Sequence, residues 1–402
     1  VLVTRTLARL SAALSFAYVL RWTVLRIPTT ALEICLLATL VAYVVEKRRA
    51  GEPFPDPRRL PFFWPVALLL VAATISVLTA PDHRAAAGIW KAYFLEPALA
   101  AYVLADVLRA RQDLEKLVAA FFLGAIVVAV LNELTFVYTL GVSPSGIVEH
   151  PPVMIYLTPN AVGLFLGPLL AIAASLLLFG LRPERVRAAV FIAIALPAFV
   201  LSFSRGAWLG LLVALVFLAW QSRQRARALG GLAVAAAIAL LLPPIRRRLA
   251  HELNPSDPQN SLNTRVDLWK ATARMMVHGR HPIFGTGLSG FKHDIAPYKD
   301  VSGYHEDLIY PHNLFLDFYT ETGLLGLIAF CWLVFEWVRR TAVSVAAESI
   351  RRPYHLGLAA AGITILVHGL LDVPFFKNDL AWLTFALLGM QAAAMRQDGI
   401  QA

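Results

Sequence analysis

The sequence predicts an all-α, polytopic membrane protein, and three observations carry that expectation. The 402 residues are 58% hydrophobic and only 15% charged, against about 25% charged in an ordinary soluble domain. Mean hydropathy is +0.64. The apolar stretches are continuous rather than alternating, which fits helices and argues against a β-barrel.

Taken in order, about twelve spans are expected, roughly 8–25, 28–45, 61–80, 88–108, 117–140, 153–180, 189–203, 206–221, 229–245, 323–338, 355–371 and 380–395. Pro28, Pro61 and Gly230 punctuate span ends. No small-residue cleavage site follows the first apolar run, so no cleaved leader is expected. The chain reads as a single membrane domain over 1–402, with one large loop over 246–322 between spans 9 and 10. Loops of that length are usually functional.

Basic residues set the expected topology. Lys47, Arg48, Arg49, Arg58 and Arg59, then Arg109, Arg111 and Lys116, then Arg182, Arg185 and Arg187, then Arg223, Arg225 and Arg227, then Arg339, Arg340, Arg351 and Arg352 fall in alternate loops. Such loops face the cytoplasm. Both termini are then cytoplasmic, and 246–322 lies outside. The net charge of +10 therefore reads as orientation and not as nucleic-acid binding. Cys35 and Cys331 both lie in apolar spans and suggest neither a disulfide nor a CxxC site. No internal repeat is visible, whereas many transporters are built from two similar halves.

Three residues could carry chemistry. His312 follows Pro311, a good first-turn residue, and is expected in the opening turn of a helix entering the membrane. A neutral imidazole there can accept a proton; the plain alternative is a structural histidine. Arg265 follows Asn263 and Thr264, either of which could cap a helix bearing an apolar stripe of Trp269, Thr272 or Ala273, and Met276. A helix start beside an arginine suits phosphate, although a solvated surface arginine reads the same way. Arg205, in the turn Ser202–Gly206, sits between two spans where positive charge is costly without an anion, unless it snorkels to headgroups.

Polar residues within or beside spans form a second group: Glu33, Lys91, Glu96, Asn132, Glu133, Asn160, His368 and Asp372. Lys91 and Glu96, five apart, are expected on different helix faces, with Lys91 able to reach a phosphate. Arg246, Arg247 and Arg248 could hold a phosphorylated partner or simply form an interfacial basic cluster. Gly285-Thr286-Gly287-Leu288-Ser289-Gly290 matches a dinucleotide fingerprint by letter but lacks the preceding strand, so it reads as a turn-rich connector. Neither His278-x-x-His281 nor His305-Glu306-Asp307 matches a strong metal pattern. No cofactor is expected.

Several segments together resemble the bacterial O-antigen ligase/polymerase family of membrane glycosyltransferases. They are Ser204-Arg205-Gly206-Ala207-Trp208; Arg265-x-x-x-Trp269 leading to Pro282-Ile283-Phe284-Gly285-Thr286-Gly287; His312-Asn313-x-x-Leu316 leading to Glu321-x-Gly323-Leu324-x-Gly326; Thr158-Pro159-Asn160; and Ile89 to Pro97. The resemblance implies transfer of glycan from an undecaprenyl-diphosphate carrier, without nucleotide sugar or metal, on the periplasmic face of the inner membrane. It maps the family's essential arginines and histidine onto Arg205, Arg265 and His312. Lys91, Glu96, Asn160, Asn313, Asp372 and Arg246 are the substrate-binding candidates. Lipid A–core is the implied acceptor, but polymerases of repeat units and ligases that glycosylate proteins share these motifs. A reading from another class also stands, a transporter of lipid-linked glycan using Lys91, Glu96 and Glu133 as a polar path.

Overall fold

In the computed structural model, residues 1–24, 27–143, 145–148, 150–254, 260–278, 281–299 and 309–400 are described. In chain order the elements are α1 (Leu2–Ala13), β1 (Arg21–Val24), β2 (Ile27–Thr30), α2 (Ala31–Ala50), α3 (Phe63–Thr79), α4 (His83–Ile89), α5 (Glu96–Val107), α6 (Arg111–Val142), α7 (Pro159–Phe179), α8 (Arg182–Leu201), α9 (Arg205–Trp220), α10 (Arg225–Leu241), α11 (Pro243–Leu253), α12 (Ser261–His278), α13 (Phe291–Asp294), α14 (Leu314–Ala346), α15 (Arg352–Gly369) and α16 (Asn378–Gln397). Among the described residues the protein is all-α apart from one hairpin. Among the described residues α6, α7 and α14 are long and apolar enough to cross a membrane, and α10 with α11 adds a fourth if that pair, bent by 87°, is one span. These are helices of a membrane protein.

The expected first span, 8–25, is divided. Helix α1 stops at Ala13, a 3₁₀ turn covers Ser15–Val19, and β1 pairs antiparallel with β2, Arg21 opposite Thr30. The physical reason is local. Thr23, Val24, Ile27, Thr29 and Thr30 are β-branched, and Pro28 has no N–H for a helix.

Helix ends follow their capping residues. Thr30 accepts from the Glu33 N–H to start α2, and Gly51, left-handed at φ 64°, ends it after Lys47, Arg48 and Arg49. Asp82 caps α4 and Asn313 caps α14.

The chain packs as two compact units, Val1–Phe121 with Asp267–Arg351 and Phe375–Ala402, and Phe122–Val266 with Arg352–Pro374. In the first, α3 packs on α14, α5 on α16 and α1 on α2. Its aromatic centre joins Phe318 stacked on Phe330 at 4.0 Å to Phe375 and Phe376. Glycine permits close helix approach, since a Cβ on Gly389 would lie 2.7 Å from the Ala101 carbonyl. In the second unit, α15 packs on α7 and α9, and α7 on α8. Pro197 interrupts α8, and the Ala198 N–H donates to Glu133 Oε1 at 3.1 Å. Asn132 is likewise satisfied, by the Val128 carbonyl and the Met154 N–H.

Helix α14 is broken at Gly323, where φ is 68° and ψ is −173°. The connector 282–290 fills the break. The Leu324 N–H donates to the Ile283 carbonyl at 2.8 Å, and the Thr286 N–H to the Thr320 carbonyl at 2.7 Å. The glycine-rich segment is thus a tight turn docked on a helix break, with Gly285 and Gly287 left-handed and a Cβ at Gly285 barred by the Thr320 carbonyl at 2.3 Å. Gly323→Ala is expected to destabilise by about 1–3 kcal/mol, because it forces a Cβ onto a left-handed backbone 2.4 Å from the Ile283 carbonyl. A melting curve in detergent checks this; an unchanged midpoint counts against it.

Candidate active site

In the second unit, α8 ends at Leu201 and α9 begins at Arg205. Phe203 between them is left-handed at φ 49°, a conformation a bulky residue rarely adopts. Gly206 lies against the edge of the His368 ring, where a Cβ would come within 2.7 Å of Cδ2. Ser204 Oγ is 3.5 Å from His368 Nε2. Ala207 is small because α7 arrives there at Gly163. The short motif around Arg205 therefore packs a turn tightly against α7 and α15. Asn160, half-buried, lies in the opening turn of α7.

Helix α12 starts one turn earlier than expected. Asn260, not Asn263 or Thr264, accepts from the N–H groups of Leu262 and Asn263 at 2.9 and 3.1 Å. Arg265 falls one turn in, directly over Ser261. The two arginines meet on that serine. Ser261 Oγ accepts from Arg205 Nη2 at 2.8 Å and from Arg265 Nη1 at 2.7 Å. It donates to Glu252 Oε1 at 2.8 Å. Arg205 Nη1 pairs with the same carboxylate, which also accepts from the Ser261 and Leu262 N–H groups at 3.0 and 3.1 Å. Arg265 Nε donates to the Leu371 carbonyl at 2.6 Å, and Arg265 Nη2 is 4.0 Å from Asp372 Oδ2.

Two guanidinium groups that share one acceptor oxygen repel each other. Glu252 and Asp372 offset this. The anion the cluster holds is the Glu252 carboxylate of the chain itself. Of the sequence candidates, Arg205, Arg265 and Asp372 come together here. Arg246 is exposed on α11, while the carbonyl of Arg248 accepts from Arg205 at 3.4 Å. Ser261 and Glu252 were not singled out from sequence. The available signals were a serine four residues before Arg265 and an acid closing a basic helix.

In the first unit, His312 precedes α14 and does not lie in its first turn, which corrects the sequence expectation. Asn313 is the cap, accepting from the Phe315 and Leu316 N–H groups at 3.1 Å each, and His312 is left-handed at φ 50°. Proline also suits a turn before a cap, and the asparagine side chain is the stronger start signal. Trp269 Nε1 donates to the Pro311 carbonyl at 2.9 Å. The α12 stripe is also shifted: Leu268, Ala271, Thr272, Met275 and Met276 are buried and pack with Phe291 and Ile295, while Ala273 is exposed. Tyr310 packs on Phe376 at 5.7 Å, and burial pushes its phenol well above the usual range.

Glu321 is fully buried, and its carboxylate accepts from the N–H of left-handed Ser289. His281 is engaged by the Gly285 carbonyl and by Asp294 at 3.0 and 3.1 Å. Residues 305–307 lie outside the described residues. Among the described residues, no group of three or more His, Cys, Asp or Glu is placed to hold a metal.

Lys91 Nζ lies 2.7 Å from Glu33 Oε2 and 3.8 Å from Glu96 Oε1. The expectation that Lys91 and Glu96 lie on different faces is corrected. Residues Trp90–Leu95 form a π-helical turn, whose i to i+5 bonding brings residues five apart onto one face. Asn378 Nδ2 and Thr29 Oγ1 donate to Glu33 at 2.8 and 3.2 Å.

A model of the O-antigen ligase family matches residues 188–331. That stretch holds Arg205, Glu252, Ser261, Arg265, His312, Asn313 and Glu321. The curated O-antigen ligase of Salmonella typhimurium (strain LT2) is 24% identical over 347 residues, which is 81% of each chain. The resemblance carried by the motifs therefore holds, and Lys91, Glu96, Asn160 and Asp372 lie outside the stretch that the family model matches. Among these, Lys91 is tied to its carboxylates first. Lys91→Met is expected to destabilise by about 3–5 kcal/mol, the cost of stranding buried carboxylates. Adding Glu33→Gln should recover part of that loss, as read from melting of the single and double variants.

Proposed function

We propose that this chain is a ligase-like glycosyltransferase of the bacterial inner membrane. It moves a glycan from an undecaprenyl-diphosphate carrier to an acceptor sugar, lipid A–core, on the periplasmic face. The observation that carries the reading is the convergence of Arg205 and Arg265 on Ser261 Oγ. Paired guanidiniums at a helix start suit a diphosphate, the group that leaves when such a donor reacts. The resemblance to O-antigen ligases supports the same chemistry.

In this mechanism an acceptor hydroxyl oxygen attacks the anomeric carbon. The bond from that carbon to the diphosphate oxygen breaks, and the lipid diphosphate leaves. An imidazole nitrogen of His312 takes the hydroxyl proton. Arg205 and Arg265 stabilise the charge growing on the leaving diphosphate, which their fixed positive charges do without a metal ion. An α-linked donor would be inverted. Asn313 fixes His312 from the helix cap. Lys91, Glu96, Asn160, Asp372 and Arg246 are assigned to donor or acceptor binding.

The membrane arrangement belongs to this proposal. It has about twelve crossings, both termini cytoplasmic by the basic loops, and residues 246–322 periplasmic. The lengths of α6, α7 and α14 support it, as does the Gly323 break at the expected start of a span.

Transfer by the purified protein in nanodiscs, from a polyprenyl-diphosphate oligosaccharide to lipid A–core, tests the reading. Activity should survive EDTA. Arg205→Ala or Arg265→Ala, assayed at a temperature where the variant is folded, should each lower the rate on the order of tenfold to a thousandfold, and His312→Ala should abolish detectable transfer. Longer glycans left on the carrier would make the protein a polymerase. Glycosylated protein instead of lipid would make it a protein O-oligosaccharyltransferase. No product with any acceptor, with lipid-linked glycan crossing vesicles in a Lys91-dependent way, would make it a transporter.

A further inference from the structure

The arginine pair is already occupied by an anion from the chain itself. The Glu252 carboxylate pairs with Arg205, accepts from Ser261 Oγ, and accepts from the Ser261 and Leu262 N–H groups at the start of α12. Guanidinium, hydroxyl and helix-terminal amides are the donors a phosphoryl oxygen would use. We propose that Glu252 is an internal stand-in for the donor's diphosphate, which must leave before that diphosphate can bind. The inference rests on the proposed reading of Arg205 and Arg265 as the diphosphate site.

The chemistry forces a choice between occupants. A carboxylate and a diphosphate drawn to the same N–H groups repel each other at contact distance. Each Glu252 oxygen already takes a donor that a phosphoryl oxygen would need. With the donor absent, Glu252 keeps two close guanidiniums from repelling across Ser261. With the donor present, the diphosphate brings more charge and the glutamate becomes redundant. Both groups of the ion pair are only 18% exposed, so the pair is shielded yet remains at a reachable surface. Glu252 is the penultimate residue of α11, a helix that meets α10 at 87° and carries two exposed arginines, Arg246 and Arg247. A self-occupied site lowers apparent affinity by the fraction of molecules in which it is open. That makes the site selective, because an anion weaker than a diphosphate does not displace the carboxylate.

Inorganic diphosphate is the probe, titrated calorimetrically into the full-length protein in nanodiscs, with inorganic phosphate in parallel. Glu252→Gln should bind diphosphate about tenfold more tightly than the native chain, and should gain binding of monophosphate. A tenfold gain is the size of one competing charge-assisted contact removed. Glu252→Asp keeps the charge on a shorter arm and should fall between the two. It carries the test if the glutamine variant does not fold as judged by melting. Folded variants that bind diphosphate no better than native overturn the proposal. Arg205→Ala and Arg265→Ala separate the two ideas. If they lose diphosphate binding while Glu252→Gln gains none, the site stands and the stand-in fails. If they bind as the native chain does, the arginine site itself fails. In transfer, Glu252→Gln should lower KM for the lipid-linked donor with kcat nearly unchanged, a split that a merely structural role does not give.

Discussion

An apolar chain cannot leave a buried charge without a counter-charge, and that constraint orders each of the two units. Desolvation costs several kcal/mol per ion unless a partner and hydrogen bonds replace water. In the first unit, Lys47 is closed between Asp106 at 2.8 Å and Glu52 at 3.2 Å, with the Tyr43 hydroxyl donating to Asp106. Lys91, itself 27% exposed, pairs with the buried Glu33 and Glu96. In the second unit, Arg205 and Arg265 are held by Glu252, Asp372 and a shared serine. The clusters differ in what a ligand could replace. Lys47 is 4% exposed and Asp106 8%, a closed structural pair. The arginines are 17–18% exposed and point like charges at one hydroxyl. Carboxylates from the chain satisfy them, and a diphosphate carries the same functional oxygens.

Much of this was legible in the sequence, for specific reasons. The cost of positive charge beside a span marked Arg205, and a capping pattern marked the region of Arg265. The helical class followed from unbroken apolar runs. The meeting of the arginines was not legible, because Ser261 lies 56 residues from Arg205 and nothing local to either signals the other. A 3.6-residue period separates Lys91 from Glu96, whereas the helix between them is π. Pro311 reads as a helix start in the sequence, yet Asn313 offers the side-chain oxygen that α14 needs, which leaves His312 before the helix. The hairpin between α1 and α2 was hidden because β-branched residues are hydrophobic whether they span or pair.

The left-handed residues give the site its rigidity. Among the described residues, the non-glycine examples are Phe203, Ser289 and His312, and each lies in or beside a motif of the proposed active site. Such backbones cost about 1–3 kcal/mol each and persist only where the surroundings fix them. Each has its fixing partner. Phe203 is buried beside Phe136 and Trp208. The Ser289 N–H is held by Glu321. His312 stands between a carbonyl held by Trp269 and the cap formed by Asn313. Glu321 serves as this clamp from a fully buried position. The proposed sites of acid–base and anion chemistry thus rest on backbone that the fold holds in place. Electrostatic stabilisation of a transition state is strongest when the stabilising groups need not reorganise. A carboxylate that swings out is compatible with that requirement, because it leaves Arg205, Ser261 and Arg265 where the helices put them. The adjustable part is then one side chain at the end of α11, and the positive charges remain fixed.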